Sequence, residues 1–125
     1  MRILLDTHAI IEIGMDKVSE SRKLLLSDPM TEVLVSAFSF WEIAKLVELK
    51  RIELDESVAE YIARIEHNPS IRVIPIDSKV IAALSVVAPK MHPADQMIVA
   101  SAIAAKAYLL TDDRLIRKAE LVEVV

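Results

Sequence analysis

Four short blocks, Ile3-Leu4-Leu5, Val33-Leu34-Val35, Arg72 to Ile76 and Tyr108-Leu109-Leu110, are separated by segments whose apolar residues recur three and four apart. This alternation constrains the fold more than any other feature of the chain. Brief, nearly continuous apolar runs suit strands buried on both faces of a parallel sheet, and the amphipathic segments between them suit helices covering those faces. Strand alternating with helix implies an α/β fold, with a central parallel sheet between two helical layers and right-handed crossovers joining the strands.

The helices are bounded by recognisable signals. Asp16 to Asp28 is helical in pattern and is stopped by Asp28-Pro29. Ser36 or Ser39 caps a helix in which Phe40, Ile43, Ala44 and Val47 share one face, with Trp41 as a core anchor and Glu42 in an early turn. Asp55 is the expected N-cap of a helix through Val58, Ile62 and Ile65, which Asn68-Pro69 ends. Pro75 marks the third strand as a sheet edge. Asp77 caps a short helix through Leu84 that gives way before Pro89. Pro93 opens a longer helix running to Ala107, apolar on most of its circumference and so expected to be buried. Arg114 to Ala119 is a short helix, and Leu121 to Val125 an edge strand.

A chain of 125 residues supports one domain, residues 1–125, with a single core system. No apolar stretch approaches the roughly 20 residues of a membrane span, and the start Met-Arg-Ile-Leu-Leu-Asp lacks the features of a secretory signal, so a cytoplasmic location is expected. The absence of cysteine excludes disulfides, thiolate metal sites and thiol nucleophiles. Gly14 is the only glycine, which excludes phosphate-cradling and dinucleotide loops that need several. The three histidines have no zincin spacing, and no serine sits in a nucleophile elbow. With a net charge of -4, the chain cannot grip nucleic acid by bulk electrostatics; local basic groups such as Lys45, Lys50, Arg51 and Arg114, or bound cations, must supply the attraction.

Four acids stand where chemistry is expected. Ligands of open parallel sheets bind beyond the carboxyl ends of the strands. Asp6 and Asp113 each follow a strand there, Glu42 lies in the helix after the second strand, and Asp95 in the first turn of the long apolar helix. Carboxylates brought together repel one another and hold their protons more tightly unless cations shield them. With oxygen donors only, the fitting cations are magnesium or manganese, and hydrolysis of a phosphodiester is the natural reaction. Each acid also has an ordinary role available. Asp6, Asp95 and Asp113 lie near helix starts, where aspartate caps or complements the dipole, and Glu42 has Ser39 and Lys45 as local partners. Asp16, Asp55 and Asp77 are expected to be caps alone; Asp112 could replace Asp113 as ligand but reads as an exposed neighbour, and His8 and His92 lie near the cleft without an assigned role.

The joint pattern goes further. Leu4-Leu5-Asp6-Thr7-His8-Ala9, Val35-Ser36-Ala37-Phe38-Ser39-Phe40-Trp41-Glu42-Ile43-Ala44, His92-Pro93-Ala94-Asp95-Gln96-Met97-Ile98-Val99-Ala100 and Leu109-Leu110-Thr111-Asp112-Asp113 resemble, in order, the four motifs of PIN-domain proteins, and most closely the VapC toxins of toxin-antitoxin pairs. The resemblance implies a sheet of order 3-2-1-4-5. It also implies that Asp6, Glu42, Asp95 and Asp113 are metal-binding catalytic acids supported by Thr111. It implies Mg2+- or Mn2+-dependent endonucleolytic cleavage of RNA, homodimerisation and inhibition by a cognate antitoxin protein. Gln96 departs from the family pattern, standing where arginine commonly follows the third acid.

Other classes fit less well. A phosphohydrolase of the haloacid dehalogenase class also begins with strand-then-aspartate, but the place of its second aspartate holds His8. A receiver-like module needs paired acids after the first strand, which Asp6-Thr7 does not supply. A non-catalytic PIN-like interaction domain has no physical reason to keep four mutually repelling acids.

Overall fold

The computed structural model describes residues 1–87 and 89–125. In chain order the elements are β1 (Arg2–Leu5), α1 (Thr7–Gly14), α2 (Glu20–Ser27), β2 (Glu32–Ser36), α3 (Ala37–Glu48), α4 (Val58–Glu66), β3 (Ile71–Ile74) and α5 (Ser78–Ala83) with a 3-10 turn, Leu84–Val86, at its end; then α6 (Pro93–Ala105), β4 (Tyr108–Leu110) and α7 (Arg114–Ala119). Among the described residues the sheet has four strands in the order β3-β2-β1-β4, every pairing parallel.

Register and pleat explain the three layers. Leu4 lies beside Leu34 and Leu109, and these three belong to a core shared with Val80, Ile98, Val99 and Ile116 of the α5, α6 and α7 side. Their sequence neighbours Ile3, Leu5, Val35 and Leu110 point the other way, onto Ala9, Ile10, Ile43 and Tyr61 of α1, α3 and α4. Both faces of the central strands are therefore buried, which is why those strands carry no polar alternation. Helix α6 buries Ile98, Val99, Ala100, Ser101 and Ala102 in succession, as expected of a helix apolar nearly all round. Among the described residues no helix is long and apolar enough to cross a membrane.

Several local expectations are revised. The fifth strand reduces to one parallel bridge, Leu109 to Val124, held by the bonds Leu109 N to Glu123 O (2.8 Å) and Val125 N to Leu109 O (3.0 Å). Residues 7–14, for which no element was expected, form α1. The helix expected from Asp16 begins at Glu20 behind the N-cap Ser19, and Asp16 sits outside it at φ 54°. Ser57, not Asp55, caps α4: its Oγ accepts from Glu60 N at 3.1 Å and donates to Glu60 Oε1 at 2.9 Å, so both the backbone and the side chain of Glu60 engage the cap hydroxyl. Trp41 is no core anchor; it is 54% exposed, stacked on Phe38 with ring centroids 5.4 Å apart. Helix α6 ends at Ala105, because Lys106 turns into the left-handed region at φ 53°. The expected caps Ser36 and Asp77 are found, as is Pro75 just outside the edge strand β3. Helix α5 gives out before Val87, and Ala88, ahead of Pro89, lies outside the described residues.

Candidate functional site

Strand order reverses direction at β1, whose neighbours are β2 on one side and β4 on the other. The carboxyl ends of β1 and β4 are tied by Asp6 N donating to Leu110 O at 3.1 Å. Beyond this tie lies a cavity of about 310 Å³ whose lining includes Asp6, Glu42, Asp95 and Asp113 together. All four sequence-predicted acids thus face one volume, at the place where an open parallel sheet binds ligands.

Each acid is held by its own local structure. Asp6 is the N-cap of α1, its Oδ1 accepting from Ala9 N at 2.7 Å. Asp113 is the N-cap of α7, its Oδ1 accepting from Leu115 N and Ile116 N at 2.9 and 3.0 Å. In both, the cap engages one carboxylate oxygen and leaves the second for another ligand, so capping and ligation are compatible. Asp95 lies in the first turn of α6, behind Pro93 and the cap His92, whose Nδ1 accepts from Ala94 N at 3.2 Å. Glu42 neither closes a box with Ser39 nor pairs with Lys45. The cap of α3 is Ser36, and Lys45 bonds Glu48 at 2.9 Å. Glu42 Oε1 instead accepts from Thr7 Oγ1 at 2.6 Å.

That contact is the first element of a buried relay. Thr7 has one hydroxyl proton, donated to Glu42, so the 2.9 Å contact between Thr7 Oγ1 and Ser39 Oγ is donated by Ser39. Thr7 and Ser39 are both buried. A second buried hydroxyl pair sets α3 against α6: Ser101 Oγ donates to Met97 O at 2.8 Å, leaving Ser36 Oγ to donate to Ser101 Oγ at 3.1 Å. Glu42 and Asp95 are positioned relative to each other through these two helices.

The carboxylates affect one another. Burial pushes the Glu42 carboxyl above its ordinary value; the Thr7 hydroxyl opposes the shift, the charges of Asp95 and Asp6 add to it, and His8 opposes it. Asp95 is also raised, first by burial and then by Asp113 and Asp6, against His92 and His8. Among the described residues no three His, Asp or Glu side chains converge closely enough to hold one ion by themselves.

Thr111 is buried, and its Oγ1 accepts from Asp113 N at 3.0 Å, so it shapes the turn that delivers Asp113. Asp112 lines the cavity but its side chain is 67% exposed, and its carboxyl is held below the ordinary range by the Arg22 guanidinium. Sequence reasoning did not single out Thr7, Glu12 or Arg22, which also line the cavity. The place of Thr7 directly after Asp6 was the available signal for the first; Arg22 had none, being 90 residues from its partner. Lys45, Lys50, Arg51 and Arg114 are not among the lining residues. A larger cavity, about 640 Å³ and mainly apolar, lies between α1, residues 51–56 and α4; none of the four acids lines it, so size does not mark the chemistry here.

Comparison with solved structures places the fold among known ones. VapBC-1 from nontypeable Haemophilus influenzae is similar with a TM-score of 0.74 and 14% identity, covering 100% of this chain and 97% of that one. VapBC2 from Rickettsia felis, bound to a DNA fragment from its promoter, is similar with a TM-score of 0.72 and 16% identity, over 100% and 98%. FitAcB from Neisseria gonorrhoeae gives 0.66 and 22%, over 98% and 95%. No curated protein matches the sequence. The PIN domain model matches residues 3–121, nearly the whole chain, and the chain accordingly belongs to the PIN domain family.

Proposed function

We propose that this PIN domain is a metal-dependent endoribonuclease, the toxin of a toxin-antitoxin pair, acting in the cytoplasm as a homodimer restrained by a cognate antitoxin protein. The observation that carries this reading is the meeting of Asp6, Glu42, Asp95 and Asp113 around one cavity at the switch point of the sheet. Residues from four separate elements surround that volume, and burial first, then the charges of the neighbouring acids, raise the Glu42 and Asp95 carboxyls.

The donor set fits Mg2+ or Mn2+. It consists of carboxylates, with no thiol anywhere in the chain, and it is open. Mg2+ keeps several waters and is commonly held by one or two carboxylates plus substrate phosphate. When bound, such ions supply an activated water and charge stabilisation for phosphodiester hydrolysis. The chain's own contribution is to keep Asp6 and Asp113 at the ends of β1 and β4, and to steady the Glu42 carboxylate through Thr7 and Ser39. Thr111 holds the turn that carries Asp113. The fold shared with VapBC proteins supports the antitoxin partner, and the motif resemblance to VapC toxins supports the RNA substrate.

The test is direct. Purified protein, freed of any antitoxin, should cut RNA with Mg2+ or Mn2+, and chelation or Asp6→Asn should abolish the cut. Cleavage that survives both treatments rejects the mechanism, and antitoxin binding with no cleavage of any RNA pool would make this a non-catalytic interaction domain.

A further inference from the structure

The turn after β4 presents two adjacent aspartates to the cavity, and a guanidinium distinguishes them. Arg22, from the first turn of α2, binds Asp112 through both carboxylate oxygens, Nη1 to Oδ2 at 3.2 Å and Nη2 to Oδ1 at 2.9 Å. The same Nη2 reaches Thr111 O at 3.4 Å and Val125 O at 3.1 Å. Its side chain is only 20% exposed, so it is a fixed part of the wall rather than a mobile surface group. Arg117 Nη2 adds a second donor to Thr111 O at 3.1 Å. Asp113, the next residue, makes none of these contacts; it engages the N-terminus of α7 through Oδ1 alone.

We infer that Arg22 is a positioning residue that decides which of the two acids serves the cavity: it neutralises Asp112, pins the Thr111 carbonyl, and so leaves Asp113 as the ligand. The inference rests on the metal-dependent reading above. A planar fork is needed, because one group must meet a carboxylate bidentately and two backbone oxygens besides; a lysine ammonium carries the charge but not that geometry. Arg22 acts through Asp112 and Thr111, as supporting groups act on metal ligands elsewhere.

Mn2+ binding by calorimetry, with no RNA present, and steady-state RNA cleavage should be compared for wild type, Arg22→Gln, Arg22→Lys, Asp112→Asn and Asp113→Asn. Arg22→Gln is expected to weaken Mn2+ binding about tenfold to a hundredfold, the usual loss for a supporting group, and to lower kcat with little change in KM. Arg22→Lys should not recover either quantity. Asp112→Asn alters the clamp from its exposed end, where folding is not at risk, and should lose far less Mn2+ affinity than Asp113→Asn. The inference is overturned if Arg22→Gln matches wild type in Mn2+ affinity and kcat, or if Arg22→Lys restores both. A rise in KM alone would also overturn it, since Arg22 would then be a substrate-phosphate ligand. Asp112→Asn abolishing Mn2+ binding as fully as Asp113→Asn would do the same. Should Arg22→Gln fail to fold, the two aspartate variants decide. A wild-type protein that neither binds Mn2+ nor cuts RNA removes the functional reading itself, whereas the outcomes above leave that reading standing.

Discussion

Replacing Thr7 by valine probes the relay beneath Glu42 while keeping the shape of the side chain. Valine fills the same volume, so no cavity opens, but the Ser39-Thr7-Glu42 chain is cut at its centre. Two losses follow. The 2.6 Å bond to an ionised carboxylate disappears, a charge-assisted contact worth about 1.5 to 3 kcal/mol. The buried Ser39 hydroxyl also loses its acceptor, at a further cost of about 1 kcal/mol. Because Glu42 is only partly buried, the lower part of the first range applies, and the total is about 2.5 to 3 kcal/mol. For a domain of this size that lowers the melting temperature by roughly 10 °C. The deficit has a definite pH dependence. Thr7 lowers the Glu42 pKa, so its bond contributes while Glu42 is ionised and is lost as pH falls through the titration of that carboxyl. Thermal and urea unfolding across the acid range should therefore show the gap between wild type and Thr7→Val narrowing below it to the roughly 1 kcal/mol lost at Ser39. Thr7→Ser, which keeps the hydroxyl, should lose only about 1 kcal/mol for the missing methyl. A double-mutant cycle with Glu42→Ala should give a coupling of about 1 to 2 kcal/mol. Additive behaviour, or a Thr7→Val protein as stable as wild type at neutral pH, would show that the relay carries no energy.

Three further outcomes are expected. Asp95 has a raised pKa, so the folded state keeps its proton longer and stability falls as pH rises from the ordinary aspartate range through the folded value. Asp95→Asn should accordingly stabilise the metal-free protein at neutral pH by about 0.5 to 1 kcal/mol after solvent screening, and lose that advantage in acid, as melting curves across pH will reveal. Mn2+ at a hundredfold excess over its dissociation constant should raise wild-type stability by about 2.7 kcal/mol, reversed by chelator and much reduced in Asp6→Asn; an equal shift in that variant would remove Asp6 from the ligand set. Lys106→Gly, at the left-handed residue that ends α6, should stabilise the fold by about 0.5 to 1 kcal/mol in urea unfolding, since glycine adopts φ 53° without the crowding of a Cβ.

Much of the fold could be read from local pattern, and the misses have local causes too. Ile3-Leu4-Leu5 and Val33-Leu34-Val35 are strands because uninterrupted apolar runs suit only doubly covered sheet positions. Helix α1 escaped notice because its eight residues follow a strand with no loop between them; Asp6 ends one element and caps the next. Asp55 and Ser57 are both good caps two residues apart, and the Glu60 partner of Ser57 settles the choice. Trp41 shows the limit of a bulky side chain as a guide to burial, for its ring stacks on Phe38 at the surface with the Lys45 ammonium 5.8 Å from its centre.

The chain's own order of residues determined the α/β layering and singled out four acids as candidates for hard-donor chemistry, because apolar periodicity, strand-end position and side-chain type are properties of short segments. Packing alone decided that Thr7 reaches Glu42 and that Arg22 claims Asp112 and so leaves Asp113 for the cavity, since these contacts join residues 35 and 90 positions apart. A hydrogen bond across such a separation depends on how the helices seat against the sheet to within fractions of an ångström, and no local pattern carries that information.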